Sequence, residues 1–235
     1  MDTVETISIW HLAIAFVPVV FVIALLHVWS KEGVQSLHGL ARMLLQLLVI
    51  GYFLTYLFAT ESGWIVLTVL TVMALAASWI ALRTSPNNRR ALYGAALLSI
   101  ALGGGVTLVV VTQGVLALDP WHAPKYMIPL AGMIFGGSMT AISLATERFE
   151  TELKGGASYT KARGTAFKTA LIPITNSLFA VGLVSLPGMM TGQILSGVSP
   201  LIAVRYQIMV MCMMFAAAGL STACFLVLRK NKSPG

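Results

Sequence analysis

Charge is what this sequence has least of. Lys, Arg, Asp and Glu together make up 10% of its 235 residues, against roughly 25% in an ordinary soluble domain. A chain with so few charges cannot keep a folded surface wet, and a mean hydropathy of +0.87 says the same. There are two cysteines, Cys212 and Cys224, in one apolar run. On a helix they lie about 18 Å apart, too far for a disulfide with each other. No G-x-x-x-x-G-K-[ST] loop is present, so ATP hydrolysis by that route is excluded. Also absent are H-E-x-x-H, the nucleophile elbow G-x-S-x-G and any Cys/His cluster at metal-ligand spacing. The four histidines (His11, His27, His38 and His122) are scattered. No titratable residues cluster at one depth, which argues against an enzyme. No lysine falls between Leu201 and Leu228, which excludes a retinal Schiff base in the last apolar run. The start, Met1-Asp2-Thr3-Val4-Glu5, lacks a basic n-region, so the first apolar run is expected to remain in the mature protein.

What the sequence does have is apolar runs of membrane-spanning length, about 20 residues each. Seven are predicted, at 8–29, 42–60, 63–82, 91–117, 126–146, 169–197 and 200–228. They imply an all-α, polytopic helix bundle forming one membrane domain over 1–235. The separators are polar or turn-forming: Lys31, Glu32 and His38 in the first, and Glu61-Ser62-Gly63 in the second. Arg83 to Arg90 carries a Pro-Asn turn, Asp119-Pro120 follows the fourth run, and Ser199-Pro200 reads as an N-cap with proline after it. The net charge of +7 does not point to nucleic acid, because the basic residues sit in short connections between spans. With the connections assigned alternately, thirteen of the 15 Lys and Arg fall on one side; Lys125 and Arg205 fall on the other. The positive-inside rule then puts the N-terminus outside and the C-terminus in the cytoplasm. Trp10, Trp64 and Trp121 fall at outer ends, and Trp29 and Trp79 at inner ends, as aromatic belts require.

Three spans carry residues that disturb helices. Span 4 has Gly103-Gly104-Gly105, and span 5 has Pro129 and Gly132-x-x-x-Gly136. Span 6 has Pro173 and then Leu186-Pro187-Gly188-Met189-Met190-Thr191-Gly192. Small-xxx-small spacing serves close helix packing. Pro187 with Gly188 and Gly192 fits a broken or re-entrant helix, which in transporters often lies beside the pathway. Intramembrane polar residues (Gln46, Gln113, Asn176, Gln193 and Gln207) either line a path or join helices. Arg205 lies near the outer end of span 7, where it meets headgroups or an acidic partner such as Glu61. Met189, Met190, Met209, Met211, Cys212, Met213 and Met214 form two sulfur-rich segments. Thioether and thiolate suit soft ions, while methionine is also a common filler of packed cores. Met189, Met190, Met209 and Cys212 are the metal candidates.

The longest polar segment, 147–168, has charges on both sides of Gly155-Gly156, with a small-residue helix following. Such a charged helix–Gly–helix elbow suits docking onto a soluble partner, or is simply a solvated connection.

The segment Leu171-Ile172-Pro173, the run Val184 to Gly192, Pro200 and Tyr206-Gln207-Ile208-Met209-Val210 resemble a family of small ABC-transporter permeases. Ile128-Pro129-Leu130-Ala131-Gly132-Met133-Ile134, Gln46-Leu47 and Gly51-Tyr52 fit the same pattern, which covers most of the chain and is densest from 126 to 212. These are the YbbM/FetB-type permeases linked to iron export, related to a plant aluminium-sensitivity membrane subunit. The resemblance implies a permease subunit of the cytoplasmic (inner) membrane. It would be a homodimer working with two copies of a separate ATPase, which would carry the ATP and Mg, with no cofactor in this chain. It implies that 147–168 holds the coupling helix, with Glu152, Gly156, Ala157, Ser158, Lys161 and Arg163 at the contact. Between Gly156 and Pro173 the chain is about one helical turn shorter than the family pattern, a shift of about 5.4 Å. The pathway or hinge residues expected are Pro129, Asn176, Pro187, Gly188, Met189, Met190, Gln193, Arg205 and Gln207. The alternative is a secondary transporter or channel for metal ions or small solutes that needs no ATPase; it would call for buried carboxylates within the spans, and none is evident.

Overall fold

The computed structural model describes residues 7–229. Both termini, whose sides of the membrane the charge pattern predicts, and Lys230 and Lys232 lie outside the described residues. Among the described residues eight α-helical segments follow one another. They are α1 (Ile9–Ser30), α2 (Gly33–Phe58), α3 (Gly63–Ala81), α4 (Arg89–Val115), α5 (Pro124–Lys154), α6 (Tyr159–Ala180), α7 (Gly188–Leu195) and α8 (Pro200–Arg229). Among the described residues there is no strand, only one isolated bridge between Val181 and Ser185. The chain is all-helical, and six of its helices are long and apolar enough to cross a membrane: α1 to α5 and α8.

The run 169–197, expected as one further crossing, is not a single helix. α6 is about 33 Å long at 1.5 Å per residue, but its first half carries Lys161, Arg163 and Lys168. It stops where Val181 turns extended and Gly182 takes a φ of +84°, a left-handed conformation that glycine adopts without steric cost. The amides of Val184 and Ser185 fold back onto the carbonyl of Ala180. Pro187 is extended as well and caps α7, which lasts only to Leu195. The run is broken as the Pro-Gly pair suggested, but the break falls at Val181-Gly182, and Pro187 stands at the N-cap of α7, where its missing N–H costs nothing.

The molecule divides into two compact units, Met1–Ala59 and Thr60–Gly235. In the first, α1 and α2 form a hairpin that turns at Lys31 and Glu32. α2 starts at Gly33, well before the apolar run at 42, so most of the polar separator is helical. A Cβ at Gly33 would stand 2.6 Å from the Cβ of His27, so glycine permits the close return. Almost every apolar side chain of this hairpin is exposed. Water cannot cover that surface cheaply, whereas lipid can.

In the second unit α5 packs against α3, α6 and α8. Ile100, Ile134, Ile142, Phe149, Met213 and Phe225 are its largest fully buried apolar side chains besides leucines. Gly103 lies against α8, where an added Cβ would come within 2.5 Å of the Ser221 amide nitrogen. Around Gly103-Gly104 and again at Val110–Val115, α4 widens into π-helical turns. Thr107 Oγ1 donates to the Gly103 carbonyl at 2.7 Å and Thr112 Oγ1 to that of Leu108 at 2.8 Å. Deeper still, Ser221 Oγ donates to Ser138 Oγ and Ser138 Oγ to the Ala217 carbonyl, tying α5 to α8. Gly132 and Gly136 show no such close approach: an added Cβ meets only Met73 Cε at the first and nothing at the second.

The contact at Gly103 is with backbone, which cannot move aside. Gly103→Ala is expected to destabilise the chain by about 1–3 kcal/mol, read as a lower Tm of the detergent-solubilised protein. Gly105→Ala, with nothing within 4 Å of the added Cβ, should leave Tm unchanged or slightly raised.

Candidate functional site

The two ends of the larger unit differ in chemistry. At one end the last turn of α5, the start of α6 and the end of α8 meet the 82–88 connection. Phe149 is fully buried here, with Tyr159 edge-on at 5.8 Å and the Arg229 guanidinium over its face at 4.8 Å. Tyr159 OH donates to the Leu226 carbonyl at 2.8 Å. Glu150 Oε1 accepts from Ser85 Oγ at 2.6 Å and from Arg229 Nη2 at 2.7 Å. One carboxylate therefore joins three segments far apart in sequence. Arg83, Arg148 and Lys154 belong to the same segments, and Arg89 and Arg90 open α4 directly after the 82–88 connection.

The helix–Gly–helix elbow has its expected local form. α5 runs straight to Lys154 and α6 begins at Tyr159, leaving only 155–158 outside helices. The amides of Gly155, Gly156 and Ala157 close the end of α5 onto the carbonyls of Thr151, Leu153 and Glu152. Gly156 reverses the chain with φ +80°. Ser158 caps α6, its Oγ accepting from the Lys161 amide, as N-cap serines do. Lys161 and Arg163 are exposed on the first turns of α6, with Arg163 over the Tyr159 ring at 5.6 Å. Glu152 is held within its own helix by Arg148 at 2.6 Å. The elbow is thus a stiff corner with exposed cations, whose α6 arm leads to the break at 181–187.

Of the expected pathway residues, the structure brings some together and not others. Pro129, Met189 and Met209 line one cavity of about 290 Å³ between α5, α7 and α8. Leu116, Lys125, Tyr126, Leu130, Met133 and Tyr206 also line it; none of these was among the expected pathway residues, although Pro129 and Met133 share one face at i and i+4. Met190 and Cys212 are not part of that wall. Cys212 instead borders a separate groove with Arg205, Met209 and Met213. Among the described residues Arg205 forms no ion pair with Glu61; the Glu61 carbonyl pairs with the His122 ring at 2.8 Å. Asn176 is exposed, Gly188 opens α7, and Pro187 precedes it. Gln193 and Gln207 each hold a buried side-chain oxygen with no hydrogen-bond partner, and Gln207 is only 5% exposed. Among the described residues no group of three His, Cys, Asp or Glu is arranged to hold a metal ion. The Glu150–Arg229–Ser85 junction was also not singled out, because nothing in linear spacing links positions 85, 150 and 229.

Residues 9–232 match the family described as Uncharacterised protein family (UPF0014). The chain belongs to the UPF0014 family. It is 40% identical to the UPF0014 membrane protein slr1647 of Synechocystis, over 80% of this chain and 78% of that one. It is 34% identical to the Escherichia coli protein named "Probable iron export permease protein FetB", over 93% and 90% of the two chains. It is 37% identical to Protein ALUMINUM SENSITIVE 3 of Arabidopsis thaliana, over 82% and 74%. The resemblance carried by the Pro187 and Tyr206 segments is therefore a family relationship over nearly the whole chain. Together with the six apolar helices it makes this a multi-pass membrane protein. No solved structure matches the chain.

The left-handed turn at Gly156 gives a direct test of the elbow. Gly156→Ala is expected to cost about 1–2 kcal/mol and lower Tm, whereas Gly156→Asn, a residue that tolerates positive φ, should recover part of the loss. Equal losses would mean that the corner does not depend on this backbone conformation.

Proposed function

We propose that this protein is the membrane permease subunit of an ABC exporter for iron or a similar metal ion. A separate ATPase in the cytoplasm would energise it. The observation that carries the reading is the elbow at 155–158: a capped, hydrogen-bonded corner that presents Lys161 and Arg163 and continues through α6 into the break at 181–187. A soluble motor docking there would push on a rigid arm. The relative named as an iron export permease supports the cargo class.

In this reading the chain crosses the cell membrane seven times, with its N-terminus outside and its C-terminus in the cytoplasm. The sixth of these crossings is shared between α6, the hairpin at 181–187 and α7. Supporting it, Tyr159 lies beside the end of α8, while Met189 lies beside Tyr126 and Tyr206 near the starts of α5 and α8. Those contacts are at opposite ends of the bundle. Two copies of the permease would assemble with two ATPases. An open groove of about 320 Å³, bordered by Gly136, Gly137, Thr140 and Pro173, leaves room on the α5–α6 side for the second copy.

The test is reconstitution with the ABC ATPase encoded beside this chain's gene. Co-purification and ATP-dependent metal efflux from vesicles are expected. Charge reversal at Lys161 and Arg163 should lower the ATPase activity that the permease stimulates by about tenfold, equivalent to 1.4 kcal/mol, without lowering Tm. Metal efflux that proceeds without any ATPase would overturn the reading in favour of a secondary transporter.

A further inference from the structure

At the basic end of the larger unit, a cavity of about 520 Å³ opens between the 82–88 connection, α4, the end of α5 and the end of α8. Arg229 lines it. The Arg229 side chain is only 7% exposed, and its two terminal nitrogens are used unequally. Nη2 donates to Glu150 Oε1, while Nη1 is buried without any partner. A buried charged donor left unpaired is costly, more so than a neutral one. The guanidinium fork is shaped for two acceptors at once, and only one is supplied by the chain.

The remaining lining says what the second acceptor is. Lys154 and Arg229 against Glu150 leave one positive charge in surplus, and the Asn87 amide adds donor capacity. Lys154 makes no hydrogen bond or ion pair of its own among the described residues. The site therefore takes an oxyanion. Its depth says where the oxyanion comes from. Arg89, at the start of α4 beside the cavity, stacks on Trp79 at 3.9 Å and donates to the Trp79 carbonyl at 2.7 Å. Tyr93 meets the same indole edge-on at 5.7 Å. Trp, Tyr and Arg gathered at a span end mark the headgroup layer of a bilayer, where basic pockets between helices hold anionic headgroups.

We propose that this cavity is a specific lipid site, in which Lys154 and the Arg229 guanidinium, its buried Nη1 turned into the cavity, bind the phosphate of an anionic phospholipid headgroup. Occupancy would supply the missing partner of Arg229 and brace the α5–α8 junction just above the elbow. The inference does not depend on what the protein transports.

Native mass spectrometry of the full chain in detergent tests it, with phosphatidylglycerol and phosphatidylcholine of the same acyl chains offered in equal amounts. Phosphatidylglycerol should be retained about fivefold or more over phosphatidylcholine, and Lys154→Gln should reduce that preference about fivefold. Glu150→Gln, which removes the competing carboxylate, should increase retention. Arg229→Gln should abolish the preference, and because it also strips Glu150 of a donor, Lys154→Gln serves as the variant that keeps the fold. If inorganic phosphate raises Tm and phosphatidylglycerol shows no preference, the occupant is a soluble phosphate and the headgroup assignment is overturned. Equal retention of both lipids with no effect of phosphate, or a preference unchanged in Lys154→Gln and Glu150→Gln, overturns the site itself.

Discussion

A chain inside a bilayer has no water to satisfy its backbone, and the larger unit is organised around that constraint. Each unmet N–H or C=O in hydrocarbon costs several kcal/mol. The hydroxyls show the response. Thr68, Ser78, Ser99 and Thr146 each donate to the carbonyl four residues back in their own helix. Within and beside the two π-helical stretches of α4, Thr107 and Thr112 do the same, donating to the carbonyls of Gly103 and Leu108. Even the helix break obeys the rule, since the hairpin after Ala180 turns its amides back onto that single carbonyl. Chain irregularity is tolerated here only where a donor or acceptor lies within reach.

This constraint explains why the architecture was legible in the sequence. Spans must be long and apolar, so α1 to α5 and α8 announce themselves by composition alone. That run 169–197 is broken was readable from Pro187-Gly188, because proline lacks the N–H that a helix interior requires, although Pro187 opens α7 rather than ending α6. Its consequence was not: run 169–197 is apolar enough to read as one crossing, and only the left-handed Gly182 and extended Val181 show that α6 stops at Ala180. The early start of α2 escaped for the opposite reason. The 33–41 stretch, with Gly33, Ser36, His38 and Gly39, is polar and poor in helix formers and so resembles a loop, yet it continues the helix of the apolar run that follows.

The candidate site divides along the same line. The elbow could be read locally, because a Gly-Gly step and a Ser N-cap act on their immediate neighbours. The sulfur-rich segments could not be resolved into a wall, since consecutive methionines point in different directions. Met189 and Met209 share a cavity with Met133 from a third helix, while Cys212 faces elsewhere. The junction of Ser85, Glu150 and Arg229 is purely tertiary. Its members come from three segments with no common period, and a lone charge at the end of an apolar run reads as an interface anchor until the fold supplies its partner.

The length of α5 carries a mechanical consequence. Its 31 residues make a rod of roughly 46 Å, against about 30 Å of hydrocarbon. It therefore overhangs the apolar layer, and Pro129 softens it near the end away from the elbow. A rod pivoting near that proline acts as a lever with unequal arms. Tilting it by about 5° would carry the elbow through about 3 Å while the residues beside Pro129 scarcely move. Under the proposed reading, small rotations among the packed helices would be amplified at the basic end, and a displacement imposed there would be geared down into fine adjustment of the cavity that Pro129 borders.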